Sequence, residues 1–187
     1  MPVTALDPKT ALIVVDLQKG IVALPAAHLI DGVVANTVAL LDAFRQRHLP
    51  VVLVNVAGLA PGRSEQGMAA RGFPAGWTDL IPELDQQPQD HLVTKRTWGA
   101  FTNTGLAEHL KAQGVTQVVV VGVSTSAGVE STARQAHELG FNVTLATDAM
   151  ADLNADAHAN SIGRIFPRLG ETGTTREIIA LLDGAVQ

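Results

Sequence analysis

Three nearly unbroken runs of β-branched and aliphatic residues constrain this 187-residue chain more than any other feature. They occupy residues 11–15, 51–56 and 118–121, and only Asn55 interrupts them. A strand with one face in water alternates apolar and polar residues. A strand that is apolar at every position must be covered on both faces. Between the runs the period changes to that of a helix. From about Asp31 to Arg47, the residues Val34, Val38, Leu41 and Phe44 lie along one stripe. Further strands are predicted over 91–94, 117–121 and 142–146. Helices are predicted over 106–113, closed by Gly114, over 125–139, stopped by Gly140, and near 156–165 and 175–182. Residues 57–90 are rich in glycine and proline and read as a long excursion. Strands alternating with helices predict a single α/β domain over 1–187. Its expected form is three α/β/α layers around a mainly parallel, doubly wound sheet with right-handed crossovers.

Composition removes several classes of function. Hydrophobic residues make up 47% of the chain and charged residues 17%, which describes a globular protein. A net charge of −5 with dispersed Lys and Arg leaves no basic footprint for nucleic acid. No apolar stretch reaches the ~18 residues a membrane span needs, and the first residues lack the pattern of a signal peptide. The cytoplasm is therefore the expected location. Zero cysteines exclude disulfides, thiolate metal sites and a thiol nucleophile. The six histidines show no metal spacing, so neither metal nor cofactor is expected.

Open parallel sheets bind ligands beyond the carboxyl ends of their strands. Asp16, Asn55, Lys95, Ser124 and Asp148 all fall at predicted strand ends. Taken singly, Asp16 reads as well as a loop carboxylate, and Lys95 as a solvated side chain. As a pair on one partly buried rim, they would perturb each other and could pass a proton. Trp98 and Phe101 either wall a pocket or pack in the core. Arg63, Arg71 and Trp77, on the excursion, could form a lid over an anionic substrate. Ser124, Asp148 and His158 follow the Ser…Asp…His order of α/β-hydrolases, but Ser126 stands where the elbow requires glycine. Thr125 and Ser126 read more simply as caps of the next helix. Residues 171–175 read as the lead into the last helix.

The segments carrying these residues resemble the isochorismatase-like cysteine hydrolases. The run from Ala11 to Gln18 is similar to that family's opening strand with its catalytic Asp. Lys95-Arg96-Thr97-Trp98-Gly99-Ala100-Phe101 is similar to its Lys motif, and Gly122-Val123-Ser124-Thr125 with Val129-Glu130-Ser131 to its nucleophile turn. The resemblance implies a hydrolase of a small organic molecule, with Asp16 as proton shuttle and Lys95 as its charge partner. It also implies a cis peptide at Val123–Ser124, an oxyanion hole of backbone N–H groups there, and a homo-oligomer (dimer or tetramer). Two departures stand out. Gly128 occupies the place of the nucleophilic cysteine, which excludes the thioester route of the family's amidases. The isochorismatases proper also have glycine there and work by protonation and water addition. They carry a glutamine after the second strand, however, where this chain offers only Asn55. That speaks against isochorismate itself. Zinc-dependent nicotinamidases fit less well, because residues 52–90 contain no histidine. The expectation is an Asp/Lys acid–base hydrolase without a cysteine nucleophile. The competing expectation is a catalytically silent small-molecule binder on the same fold.

Overall fold

The computed structural model describes residues 2–26, 30–65 and 72–184. Arg71, considered above as part of a lid, and His28, one of the six histidines, lie outside these. In chain order the elements are β1 (Thr10–Val15), α1 (Lys19–Val22), α2 (Ile30–Gln46), β2 (Val51–Val56) and β3 (His91–Lys95). They continue with α3 (Leu106–Ala112), β4 (Gln117–Val123), a π-turn (Thr125–Val129), α4 (Glu130–Glu138) and β5 (Asn142–Ala151). α5 (Ala155–Asn160), β6 (Glu171–Gly173) and α6 (Thr175–Gly184) complete the chain.

The six strands form one sheet in the order β3-β2-β1-β4-β5-β6, and every pairing is parallel. The alternation of side chains along β1 explains its continuous apolar run. Ala11, Ile13 and Val15 enter one core with α3 and α4, where Leu106, Leu110, Ala133 and Ala136 meet them. Leu12 and Val14 enter the other, with Leu40 and Phe44 of α2 and Ile178 and Leu182 of α6. The fold is the expected three-layer α/β/α arrangement.

Three elements differ from the sequence reading. Glu171–Gly173, where the sequence suggests only the lead into α6, pairs in register with Thr144–Ala146 as β6. Three residues carry no periodicity, so no pattern marks such a strand. β5 runs five residues further than expected, to Ala151. Its register against β4 jumps from Val120↔Leu145 to Gly122↔Met150, so residues 146–149 bulge out of the ladder. The helix expected over 125–139 begins with the π-turn and becomes α-helical only at Glu130.

The chain winds outward from β1 to β3, then crosses back to β4 and winds the other way. The reversal lies between β1 and β4, and such a switch point opens a crevice at the strand ends. Gly122 sets the closeness of these strands. At φ +119° it brings β4 against Val15, and a Cβ there would fall 2.0 Å from the Val15 carbonyl oxygen. Gly122→Ala is expected to cost about 3 kcal/mol or more in unfolding free energy, from backbone strain and overpacking. Gly114→Ala, at φ +73° with open space around it, is expected to cost about 1–2 kcal/mol. Chemical denaturation of both variants checks the difference.

Candidate active site

Asp16 follows β1 directly, in a left-handed conformation at φ +53°. Its N–H donates to the Val54 carbonyl at 2.9 Å, which fixes the turn against β2. Lys95 ends β3, two strands away. Its side chain crosses the end of β2, and Nζ lies 2.7 Å from Asp16 Oδ2, with a second contact of 3.3 Å to the Thr97 carbonyl. Both residues are buried, Lys95 to 1% and Asp16 to 5% exposure. Asp16 Oδ1 has no hydrogen-bond partner. Burial lifts the Asp16 carboxyl to about 6, against the opposing charge and hydrogen bond of Lys95.

The peptide between Val123 and Ser124 is cis, as the resemblance implied. The π-turn that follows carries Gly128 up to the carboxylate. A Cβ built on Gly128 would lie 3.1 Å from Asp16 Oδ2 and 3.0 Å from Val15 Cγ1. Both contacts are tighter than a Cβ normally makes, so glycine lets the π-turn pack closely against the acid.

These groups line a cavity of about 240 Å³. Asp16, Lys95, Val123, Ser124 and Gly128 form its inner end. Ile21, Leu24, Val56, Leu59, Phe73, Trp77 and Trp98 supply apolar walls. Trp98 is 64% exposed and stands at the mouth. Trp77 stacks on Phe73 with ring centroids 4.2 Å apart. Its indole lies against Gly20, where a Cβ would meet the ring at 2.1 Å. Gln18 holds this wall in place. Its side chain accepts from Val56 N at 2.7 Å and donates to the carbonyls of Val56 and Trp77 at 3.1 and 3.3 Å.

Several expected site residues lie elsewhere. Asn55 does not reach the cavity. Its amide donates to the Thr78 carbonyl at 2.9 Å and accepts from Thr94 Oγ1 at 2.7 Å. Asn55 pairs in register with Thr94, and Val56 with Lys95. Strand alternation turns the second pair toward the site and the first away from it. Asp148 sits in the β5 bulge and accepts from Thr175 N and Oγ1 at 2.7 and 2.9 Å, capping α6. The acid at the true end of β5 is Asp152. It accepts from Ser126 N and Oγ at 2.7 and 2.8 Å and so anchors the π-turn. Ser126 and Thr125 are consequently not helix caps, and Thr125 Oγ1 lies 2.8 Å from His158 Nδ1. Asp148, committed to α6, does not serve as the acid of a triad on Ser124. Phe101 packs in the core, 6.0 Å from Phe141. Arg63 does not line the cavity, whereas Trp77 belongs to its wall. Among the described residues, no group of three or more His, Asp or Glu side chains converges as a metal site.

The Isochorismatase domain model matches residues 10–177. The chain belongs to the isochorismatase family. It is 40% identical over 178 residues to an uncharacterised isochorismatase family protein, YwoC of Bacillus subtilis (strain 168), covering 91% of this chain and 93% of that protein. Its identity to Nicotinamidase 3 of Arabidopsis thaliana is 32% over 157 residues, covering 79% of this chain and 76% of that one. The solved structure of an isochorismatase family protein from Burkholderia thailandensis matches with a TM-score of 0.91 at 38% identity, covering 96% and 98% of the two chains. Family members act as hydrolases, and the shared fold places the Asp16–Lys95 crevice at the switch point.

A carboxyl whose folded pKa lies above its ordinary value of 3.8 favours folding when protonated. Its contribution is complete below about pH 4 and is lost as pH rises through about 6. The unfolding free energy of the wild type, measured against Asp16→Asn, is therefore expected to fall on the order of 3 kcal/mol over that window. Denaturation curves across the pH range check the sign.

Proposed function

We propose that this chain is a hydrolase of a small organic molecule that uses acid–base chemistry and no covalent nucleophile. The observation that carries this reading is the buried Asp16–Lys95 pair, with an unpartnered Oδ1, on a cavity that Gly128 also lines. Oδ2 is held by Lys95, so the transferable proton belongs on Oδ1. Asp16 gives that proton to the leaving or unsaturated group and then takes one from the attacking water. Lys95 stabilises the carboxylate left behind and polarises the substrate. The oxyanion role falls to the backbone N–H groups at Ser124 and Gly128. Those of Ser126 and Ala127 are engaged with Asp152 and the Ser124 carbonyl. Positioned acid–base catalysis supplies typically 10²–10⁴-fold, and one oxyanion donor about 10²–10³-fold. Turnover without a thiol is within reach of those terms.

The competing reading is a silent binder on the same fold, favoured by the loss of the cysteine. Against it stands the protein's investment in Asp16. A buried carboxyl with a raised pKa destabilises the folded state at neutral pH, and such groups concentrate where proton transfer is needed. The proposal further takes the protein to be cytoplasmic and self-associating, with no cofactor and no nucleic-acid partner. The family resemblance and the absence of a basic run support these points.

The decisive experiment is a metabolite screen read by mass spectrometry, with the wild type and Asp16→Asn side by side. Product formation that drops about 10²–10⁴-fold in the variant is expected. Undiminished activity would overturn the role of Asp16, and bound ligand without product in any mixture would favour the binder. For a step in which Asp16 acts as the acid, kcat/KM is expected to fall about tenfold per pH unit above about 6.

A further inference from the structure

Asp16, Lys95 and Gly128 come from separate segments of the chain, and one buried hydroxyl fastens two of these segments together. Thr132 lies in the first turn of α4 and is fully buried. Its Oγ1 donates to the Gly128 carbonyl at 2.7 Å. The same oxygen accepts from the Ala100 N–H at 3.1 Å. The first bond is the ordinary back-bond of a helical threonine to residue i−4. The second reaches 32 residues back along the chain, to the loop that follows Lys95. That loop supplies the Thr97 carbonyl, 3.3 Å from Lys95 Nζ. About one turn further along α4, Gln135 holds the same loop. Its Oε1 accepts from Phe101 N at 3.0 Å, and its Nε2 donates to Thr102 Oγ1 at 2.6 Å. A Cβ on Gly99 would fall 2.2 Å from that Oε1, so the loop lies close against Gln135.

These contacts close a circuit around the acid. It runs from Asp16 to Lys95, through the loop to Ala100, and across Thr132 to Gly128. It returns to Asp16, where a Cβ on Gly128 would stand 3.1 Å from Oδ2. A hydroxyl that donates becomes a better acceptor, so the two bonds of Thr132 reinforce each other. We propose that Thr132 is a positioning residue of this site. By joining the lysine loop to the π-turn, it keeps both pressed around the Asp16–Lys95 pair and keeps water from it. Thr132 does not line the cavity, so it acts through Gly128 and the loop. This rests on the reading of Asp16 as the proton carrier.

The test reads Asp16 directly. Its carboxyl carbon is followed by ¹³C NMR against pH in the full chain, and is assigned by its loss in Asp16→Asn. Burial is the largest cause of its pKa of about 6, so water admitted to the pair moves it down. Thr132→Val keeps the shape and removes the hydroxyl. It is expected to lower the Asp16 pKa by about one unit. Thr132→Ser keeps the hydroxyl and is expected to restore the wild-type value. A merely structural threonine would lower the denaturation midpoint of the Val variant and leave the Asp16 titration in place. That result would overturn the proposal, and so would an equal shift in both variants. If Thr132→Val fails to fold, Thr132→Ala removes the same hydroxyl and leaves room for water to pair the two freed backbone groups. It is expected to give the same downward shift, and an unmoved titration there would also overturn the proposal. On a substrate found by the metabolite screen, Thr132→Val is expected to lose about tenfold or more in kcat with KM little changed. The outcome is separable from the hydrolase reading. No product from any mixture removes the chemistry and leaves the titration result standing. An unmoved Asp16 titration in an active enzyme does the reverse.

Discussion

The Lys95–Asp16 contact ties together the parts of this molecule that the site requires. Adjacent strands lie about 4.8 Å apart, so β3 and β1 are separated by two such spacings with β2 between them. A lysine stem can span the end of the intervening strand and deliver its charge to a carboxylate on the far side. The contact therefore clamps three strands at their carboxyl ends and forms the floor of the crevice. Burying two charges carries a desolvation cost that their attraction only partly offsets. The carboxyl registers that deficit as a pKa raised to about 6 despite a cation at 2.7 Å. The acidity is a consequence of where the strands end.

Gly128 acquires its meaning from the same contact. A side chain there would project at Asp16 Oδ2, so a thiol at this position would sit beside the carboxylate. With hydrogen in its place, the turn packs against the carboxylate and offers it no side-chain hydrogen-bond donor. The substitution thus does two things together. It removes the nucleophile, and it leaves the buried acid without a side-chain partner on that side. In a thiol enzyme the carboxylate serves the sulfur. Here it is the reactive group nearest the open volume.

Much of this was legible from residues alone because parallel sheets advertise themselves. Strands covered on both faces have continuous apolar sequences, and polar residues that end them stand out, as Asp16 and Lys95 do. What stayed hidden has a common cause, namely register. Asn55 and Lys95 both end strands, but which side chain faces the crevice depends on the pairing Asn55↔Thr94 and Val56↔Lys95, and one residue of slip would exchange them. The bulge over 146–149 moved the end of β5 from Ala146 to Ala151 and replaced Asp148 by Asp152 at the rim. Nothing in Ala149-Met150-Ala151 distinguishes a bulged strand from its continuation. The excursion over 57–90 looked like a polar loop. It supplies Leu59, Phe73 and Trp77 to the cavity, and the seat of Trp77 on Gly20 is a contact between distant segments that only the folded chain creates.

The apolar wall and the raised carboxyl are two effects of one environment. Surroundings that disfavour a charge on Asp16 also disfavour one on a ligand beside it. Burial therefore keeps a larger share of Asp16 protonated near neutrality than a solvated carboxyl would have. A cavity that admitted a carboxylate through an added arginine would drive Asp16 back toward ionisation and weaken it as a proton donor. A site could escape this coupling by placing its cation far from the acid, but 240 Å³ leaves little distance to use. The raised pKa of Asp16 thus follows from the walls that bury it, and Gly128 lets the turn close against it.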